Sequence, residues 1–123
     1  MAFGWELFLD IAEELAARQD EAAWRTAIGR AYYTAFGVAG QTLPAAEQAT
    51  VTPRNAHERV WQLYAFSTVA GCRRLANLGY RLRGQRRIAD YVAGRAVQER
   101  DARQAVHDAQ ELLSLLTRHG YQP

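Results

Sequence analysis

The chain reads as all-α, an antiparallel bundle of about five helices, on three observations. Apolar residues recur at spacings of three and four almost throughout, and no stretch alternates as a strand does. Hydrophobic residues make up 49% of 123 positions, enough for one core and therefore one helical domain, residues 1–123. Capping and breaking residues punctuate the periodic segments at short intervals, so most links are short and helices adjacent in sequence pack against one another.

The first helix is expected from about Gly4 to Arg18, with Phe8, Ile11, Ala12 and Leu15 on its inner face. Asp20 is a good N-cap for the second, which runs over about 21–43 and stops before Pro44. Residues 44–53 read as a loop. The third helix starts either at Thr52-Pro53, with Pro in the first helical position, or at a capping box of Asn55 and Glu58. It carries Val60, Trp61 and Tyr64. Ser67 or Thr68 caps the fourth, which runs to about Val92 with Leu75, Leu78 and Leu82 inward, and Gly94 breaks it. The fifth runs from about Gln98 to Arg118 on the stripe Ala102, Ala105, Val106, Ala109, Leu112, Leu113 and Leu116, and Gly120 ends it. The second helix should be central. One face carries Trp24, Ile28, Ala31, Ala35 and Val38, the other Thr26, Gly29, Tyr33, Gly37 and Gly40, so it is apolar or small on both sides. Its glycines suit close approach by another helix, within the chain or across a dimer interface.

Composition narrows the function classes. No apolar run approaches the ~20 residues of a membrane span. Acids at Glu6, Asp10, Glu13 and Glu14 interrupt the N-terminal hydrophobics, which is unlike a signal peptide. Cys72 is the only cysteine, so no internal disulfide or multi-cysteine metal site is expected, and the default compartment is the cytoplasm. No His, Cys or carboxylate set stands at ligand spacing, and no Gly-rich phosphate loop follows a strand, so neither metal nor cofactor is expected. All fifteen basic residues are Arg. Residues 54–100 hold ten of them against three acids, a net of +7, while residues 1–53 carry −4 and residues 101–123 carry −1. A basic block of this kind attracts phosphates, and Arg offers them a planar fork.

Two segments place charged and phenolic groups inside mostly apolar helices: Arg30-Ala31-Tyr32-Tyr33-Thr34-Ala35-Phe36 and Arg86-Arg87-Ile88-Ala89-Asp90-Tyr91. Such groups are costly to bury unless they find partners, so the two segments should meet. Arg30, Tyr33 and Gly37 share a face. Arg86 and Asp90 stand four apart and can pair, with Tyr91 following. The cluster suits a pocket for a phosphate or nucleotide, or an ion-pair network that locks the helices, which is the commoner arrangement. His57, in the first turn of its helix with Arg54 and Arg59 nearby, is a candidate phosphate contact or acid–base group, or simply a cap-region His. Arg73, Arg74, Arg81, Arg83, Arg86 and Arg87 form an arginine ladder whose members do not share one face. It reads as a solvated surface or as a basic groove with Tyr80 available for stacking.

The Arg30-to-Phe36 stretch, His57 opening a helix, and the Arg86-x-x-Ala89-Asp90-Tyr91 stretch together resemble the HEPN superfamily, most closely its small stand-alone bacterial and archaeal proteins. The resemblance covers roughly residues 8–116 in order. It implies an all-α bundle, usually a homodimer, in a superfamily rich in RNA-cleaving toxins and defence proteins. Many of these act beside a minimal nucleotidyltransferase, and others bind RNA, nucleotides or partner proteins without cleaving. The ribonucleases use an Arg-x4–6-His motif in which His does acid–base work and Arg steadies the phosphate. Here Asp90 stands where that His would follow Arg86, and Gly37 stands where this branch often has a His after the Phe. Arg100 and His107 fit the motif's spacing, yet both should project from the face opposite the apolar stripe of the last helix.

The expectation is therefore a HEPN-like protein of a toxin–antitoxin or defence-type system. Arg86, Asp90 and His57 are its candidate catalytic residues for metal-independent RNA cleavage, and Arg30, Tyr33, Tyr91 and Arg54 its ligand-binding residues. The alternative is a non-catalytic module that binds a partner such as a nucleotidyltransferase and whose polar cluster is purely structural.

Overall fold

A computed structural model describes residues 3–121. The chain forms α1 (Leu7–Ala16), α2 (Glu21–Thr42), α3 (Ala45–Gln48), α4 (Ala56–Ala65), α5 (Cys72–Tyr91) and α6 (Glu99–Thr117), with no strand among the described residues. The five expected helices are α1, α2, α4, α5 and α6. The sixth element, α3, is one turn inside the expected 44–53 loop. Pro44 ends α2 and leads directly into that turn, and the Gln48 amide donates back to the carbonyls of Gln41 (3.1 Å) and Leu43 (2.7 Å) at the end of α2.

α2 is the central helix. It packs against α1, α4, α5 and α6, and Ile28, Ala31, Tyr32, Ala35, Val38 and Ala39 are all buried along it. Asp20 caps it as expected, its Oδ1 accepting the Ala23 N–H at 2.7 Å. Contacts also give the directions of the helices. Arg25 reaches Val92 and Tyr33 reaches Arg86, so α2 and α5 are antiparallel. Tyr32 meets His57 and Tyr64 meets Ala39, so α2 and α4 run the same way. The bundle is therefore not antiparallel throughout, because residues 43–55 carry the chain back along α2 before α4 begins.

Several boundaries differ from expectation for local reasons. α1 turns Leu9, Ala12 and Ala16 inward and leaves Ile11 45% exposed. The Trp5 indole lies where a Cβ on Gly37 would be, and this seat sets the rotation of the helix. The capping box of Asn55 and Glu58 does not form. Asn55 Oδ1 instead accepts the Thr52 N–H at 2.7 Å, and the helix starts at Ala56. Neither Ser67 nor Thr68 caps α5. Ser67 Oγ accepts the Val69 N–H within the link, and Gly71, in left-handed conformation at φ 89°, is the N-cap.

α5 also ends differently. Gly94 does not take the left-handed conformation; Arg25 closes the helix instead. Its Nη1 donates to the carbonyls of Ile88 (3.2 Å), Ala89 (3.0 Å) and Val92 (3.2 Å), its Nη2 to Arg95, and its Nε pairs with Glu21 at 2.9 Å. A cation on the last carbonyls also opposes the helix dipole. Arg25→Ala is expected to cost about 2 kcal/mol, in the range of charged hydrogen bonds, and to speed amide exchange in the last turn of α5. Unchanged exchange from Ile88 to Val92 would refute the capping role.

Candidate functional site

The expected meeting of the two polar segments occurs on the α2–α5 face. Arg86, at 16% side-chain exposure, is its hub. One Nη donates to the Tyr33 hydroxyl at 2.7 Å, and Nε lies 2.9 Å from Asp90 Oδ2. The Nε–H is not aligned for a hydrogen bond to that oxygen, so the second contact is a coulombic pair rather than a bond. The guanidinium also lies over the rings of Tyr33 (5.1 Å) and Tyr91 (5.5 Å). The short i,i+4 reach on one helix produces the Arg86–Asp90 pair, and the antiparallel packing of α5 on α2 supplies Tyr33. Asp90 lies beside α2 at Gly29, where a Cβ would meet its Oδ1 at 3.7 Å, an ordinary contact. Beside the pair, Thr26, Gly29, Arg30, Tyr33 and Asp90 line a shallow cleft of about 160 Å³. Arg30 stands at the rim with its guanidinium 4.9 Å above the Phe8 ring.

His57 joins this cluster because α4 runs parallel to α2, which sets the start of α4 beside the middle of α2. Its ring stacks on Phe36 at 4.3 Å and meets the edge of Tyr33 at 6.1 Å. Its Nδ1 is 2.7 Å from the Tyr32 hydroxyl, which also accepts Trp61 Nε1–H at 3.3 Å. Burial pushes the Tyr32 pKa up, so the phenol stays protonated. With Trp61 donating to its oxygen, Tyr32 directs its own proton to Nδ1. This assigns the neutral tautomer of His57: Nδ1 accepts, and Nε2 carries the hydrogen. Nε2 has no hydrogen-bond partner among the described residues. Burial, and then the charges of Arg83 and Arg86, hold the His57 pKa below its ordinary value.

Tyr33, Arg86, Asp90, Tyr91 and His57 thus come together, with Arg30 at the edge. Arg54 is exposed and Arg59 turns away to Thr50 Oγ1 at 3.1 Å; the charges that act on the imidazole are those of Arg83 and Arg86. Arg100 and His107 are both exposed on α6. Tyr32, Phe36, Trp61 and Arg83 also belong to the cluster: Tyr32 and Phe36 lie within the Arg30-to-Phe36 stretch, while nothing in the sequence spacing singles out Trp61 or Arg83 as site residues. Tyr32 sits next to Tyr33, their rings meeting edge to face at 5.4 Å, and only the packing partners reveal that its hydroxyl turns to His57 and Trp61. Among the described residues no group of three or more His, Cys, Asp or Glu could hold a metal, and no helix is long and apolar enough to cross a membrane.

Chemically, the cluster brings two guanidiniums and an imidazole N–H together with one exposed carboxylate, which suits an anion. His57 serves better as a donor than as a base, because its basic lone pair is occupied by Tyr32. No protein-family model, curated protein or solved structure matches the chain.

Proposed function

We propose that this chain recognises a phosphate of RNA or of a nucleotide at the cluster of His57, Arg83, Arg86, Tyr33 and Asp90, as a HEPN-like member of a toxin–antitoxin or defence-type system. The observation that carries the reading is the unpartnered Nε2–H of His57 beside two guanidiniums that Asp90 alone offsets. The HEPN-like motifs supply the biological setting, and the net +7 of residues 54–100 supplies long-range attraction. In this setting Arg86 steadies phosphate charge and His57 donates to a phosphate oxygen. A metal-independent ribonuclease would further need a base. Asp90, 2.9 Å from Arg86, is the candidate. The partner set belongs to the same proposal: a homodimer, and a minimal nucleotidyltransferase-type protein alongside it.

The test is binding of uridine monophosphate by heteronuclear NMR, with RNA cleavage assayed in parallel in EDTA. Arg86→Ala and His57→Ala are each expected to weaken binding about tenfold or more, which is the size of a lost charged hydrogen bond, with helical circular dichroism retained. Wild-type binding is expected to strengthen as pH falls below about 6.5, the ordinary imidazole value. The lowered pKa places His57 protonation below that point, and the cation then attracts the anion. Cleavage lost in a folded Arg86→Ala would make the protein a ribonuclease. Binding that ignores both substitutions would instead support the interaction module, a reading favoured by the contacts Arg86 already makes within the chain to Tyr33 and Asp90.

A further inference from the structure

The six arginines of α5 fall on three faces. Arg74 and Arg81 turn to α6 and pair with Glu111 (2.8 Å) and Asp108 (2.7 Å). Arg83 and Arg86 serve the His57 cluster. Arg73 and Arg87 are exposed, with no carboxylate partner among the described residues. They share the outer face with Asn77, Tyr80, Gly84 and Tyr91, at alternating spacings of four and three. Tyr80 is 40% and Tyr91 73% exposed. The row places a cation, a ring, a second cation and a second ring along the helix, with about 21 Å between the two arginines at 1.5 Å per residue. Tyr91 lies against Arg86, so the row ends at the cluster.

Gly84 is the second observation. Two other glycines inside helices have internal reasons: Trp5 occupies the place of a Cβ at Gly37, and Trp61 does so at Gly79, while Gly29 and Gly40 have Asp90 at 3.7 Å and Val60 at 3.9 Å as neighbours. Gly84 has nothing within 4 Å, and yet it sits in mid-helix, where Gly is less favourable than Ala. It leaves a low point in the row between Tyr80 and Arg87, where something from outside the chain can come close to the helix backbone.

We infer that this outer face of α5 is a track for single-stranded RNA, leading past Tyr91 to the His57–Arg86 cluster. The inference rests on the phosphate-recognition reading of that cluster. Unpaired bases have free faces for Tyr80 and Tyr91 to stack on, which duplex RNA does not offer. The two unpaired arginines answer the backbone phosphates. α5 carries six Arg and one acid, a net of +5, which favours a polyanion over a second copy of this chain.

The test uses the whole protein and a labelled oligouridine of about ten nucleotides, longer than the ~21 Å row at 1.5 Å per residue. Fluorescence anisotropy is read at several salt concentrations. The double variant Arg73→Ser/Arg87→Ser is expected to weaken oligonucleotide binding at least tenfold. Its logarithmic salt slope should be smaller by about 1.4, two phosphates at ~0.7 each, with uridine monophosphate binding unchanged. Gly84→Gln is expected to raise the melting temperature, since Gln is the better helix former, and yet to weaken oligonucleotide binding. A role confined to helix stability would leave binding as it was. Pre-annealing the strand to its complement is expected to weaken binding, and equal or tighter duplex binding overturns the track. So does wild-type affinity in the double variant or in Gly84→Gln. If row variants bind as wild type while Arg86→Ala loses uridine monophosphate, the track falls and the cluster reading stands. If oligonucleotide binding depends on the row but uridine monophosphate does not bind, the cluster reading falls and the track remains. If neither probe binds, both fall. A dimer at sedimentation equilibrium that Gly84→Gln dissociates would reassign the face to a second copy.

Discussion

Trp61→Ala is expected to destabilise the protein by about 3–5 kcal/mol, the range for removing a large buried aromatic. Trp61 has no exposed surface. It fills the space between α2, α4 and α5, lies on the bare backbone of Gly79, and donates its indole N–H to Tyr32. The complementary change sharpens the test. Gly79→Ala in an isolated helix would stabilise it by about 1 kcal/mol. Here the new methyl would fall inside the Trp61 ring, so a net loss of about 1–3 kcal/mol is expected, as for other overpacked cores. Urea unfolding of both variants checks the pair. A stabilised Gly79→Ala would show that the indole does not lie against that backbone. Trp61→Phe keeps most of the volume but removes the donor to Tyr32. The tautomer of His57 in that variant would then reveal whether the Trp61–Tyr32 link sets the proton on Nε2.

Arg81→Ala is the second large effect, at about 3 kcal/mol. Asp108 is 1% exposed on its side chain. Its two oxygens accept from Arg81 Nε (2.9 Å) and Nη2 (2.7 Å), and Gln104 adds a bond at 2.9 Å. Without Arg81 the carboxylate stays buried with one neutral donor. Breaking a buried pair costs roughly 3–5 kcal/mol, and the lower end applies because Arg81 is itself 47% exposed, so water can reach the vacated space. That is a large share of a domain's typical ~5–15 kcal/mol. The urea midpoint should fall by roughly 1–3 M. Removing both charges as Arg81→Met/Asp108→Leu is expected to recover most of the loss, since no uncompensated charge remains. A double variant no more stable than Arg81→Ala would refute the pairing as the cause. By contrast, the Arg74–Glu111 and Arg103–Glu99 pairs lie near the surface, where such pairs contribute about 0–1 kcal/mol.

Asp108 illustrates what a sequence can hint at without stating. It falls on the inward stripe of α6, between Ala105 and Leu112, so a polar group in the core was readable there. Its partner was not, because Arg81 lies on another helix and the arginine ladder offers five equally plausible choices. Arg25 is similar. Nothing around it in sequence marks it as the residue that closes a helix ending at Tyr91. The Arg86–Asp90 pair, by contrast, follows from helical spacing alone, and so does the shared face of Arg30 and Tyr33.

By itself the sequence determined the helical class, five of the six helices, and the central place of α2. Each follows from periodicity and capping within one segment, where the geometry is that of a single helix and the reach is three or four residues. Tertiary structure alone decided the direction of α4 against α2, the rotation of α1, the seats of Trp5 and Trp61 on glycine, and the entry of Tyr32, Arg83 and His57 into one cluster. Periodicity tells which face of a helix is apolar but not which neighbour covers it. Tyr32 and His57 lie 25 residues apart, and Tyr33 and Arg86 lie 53 apart. Only the packing of whole helices, driven by apolar burial spread across the entire core, brings such distant polar groups within hydrogen-bond reach.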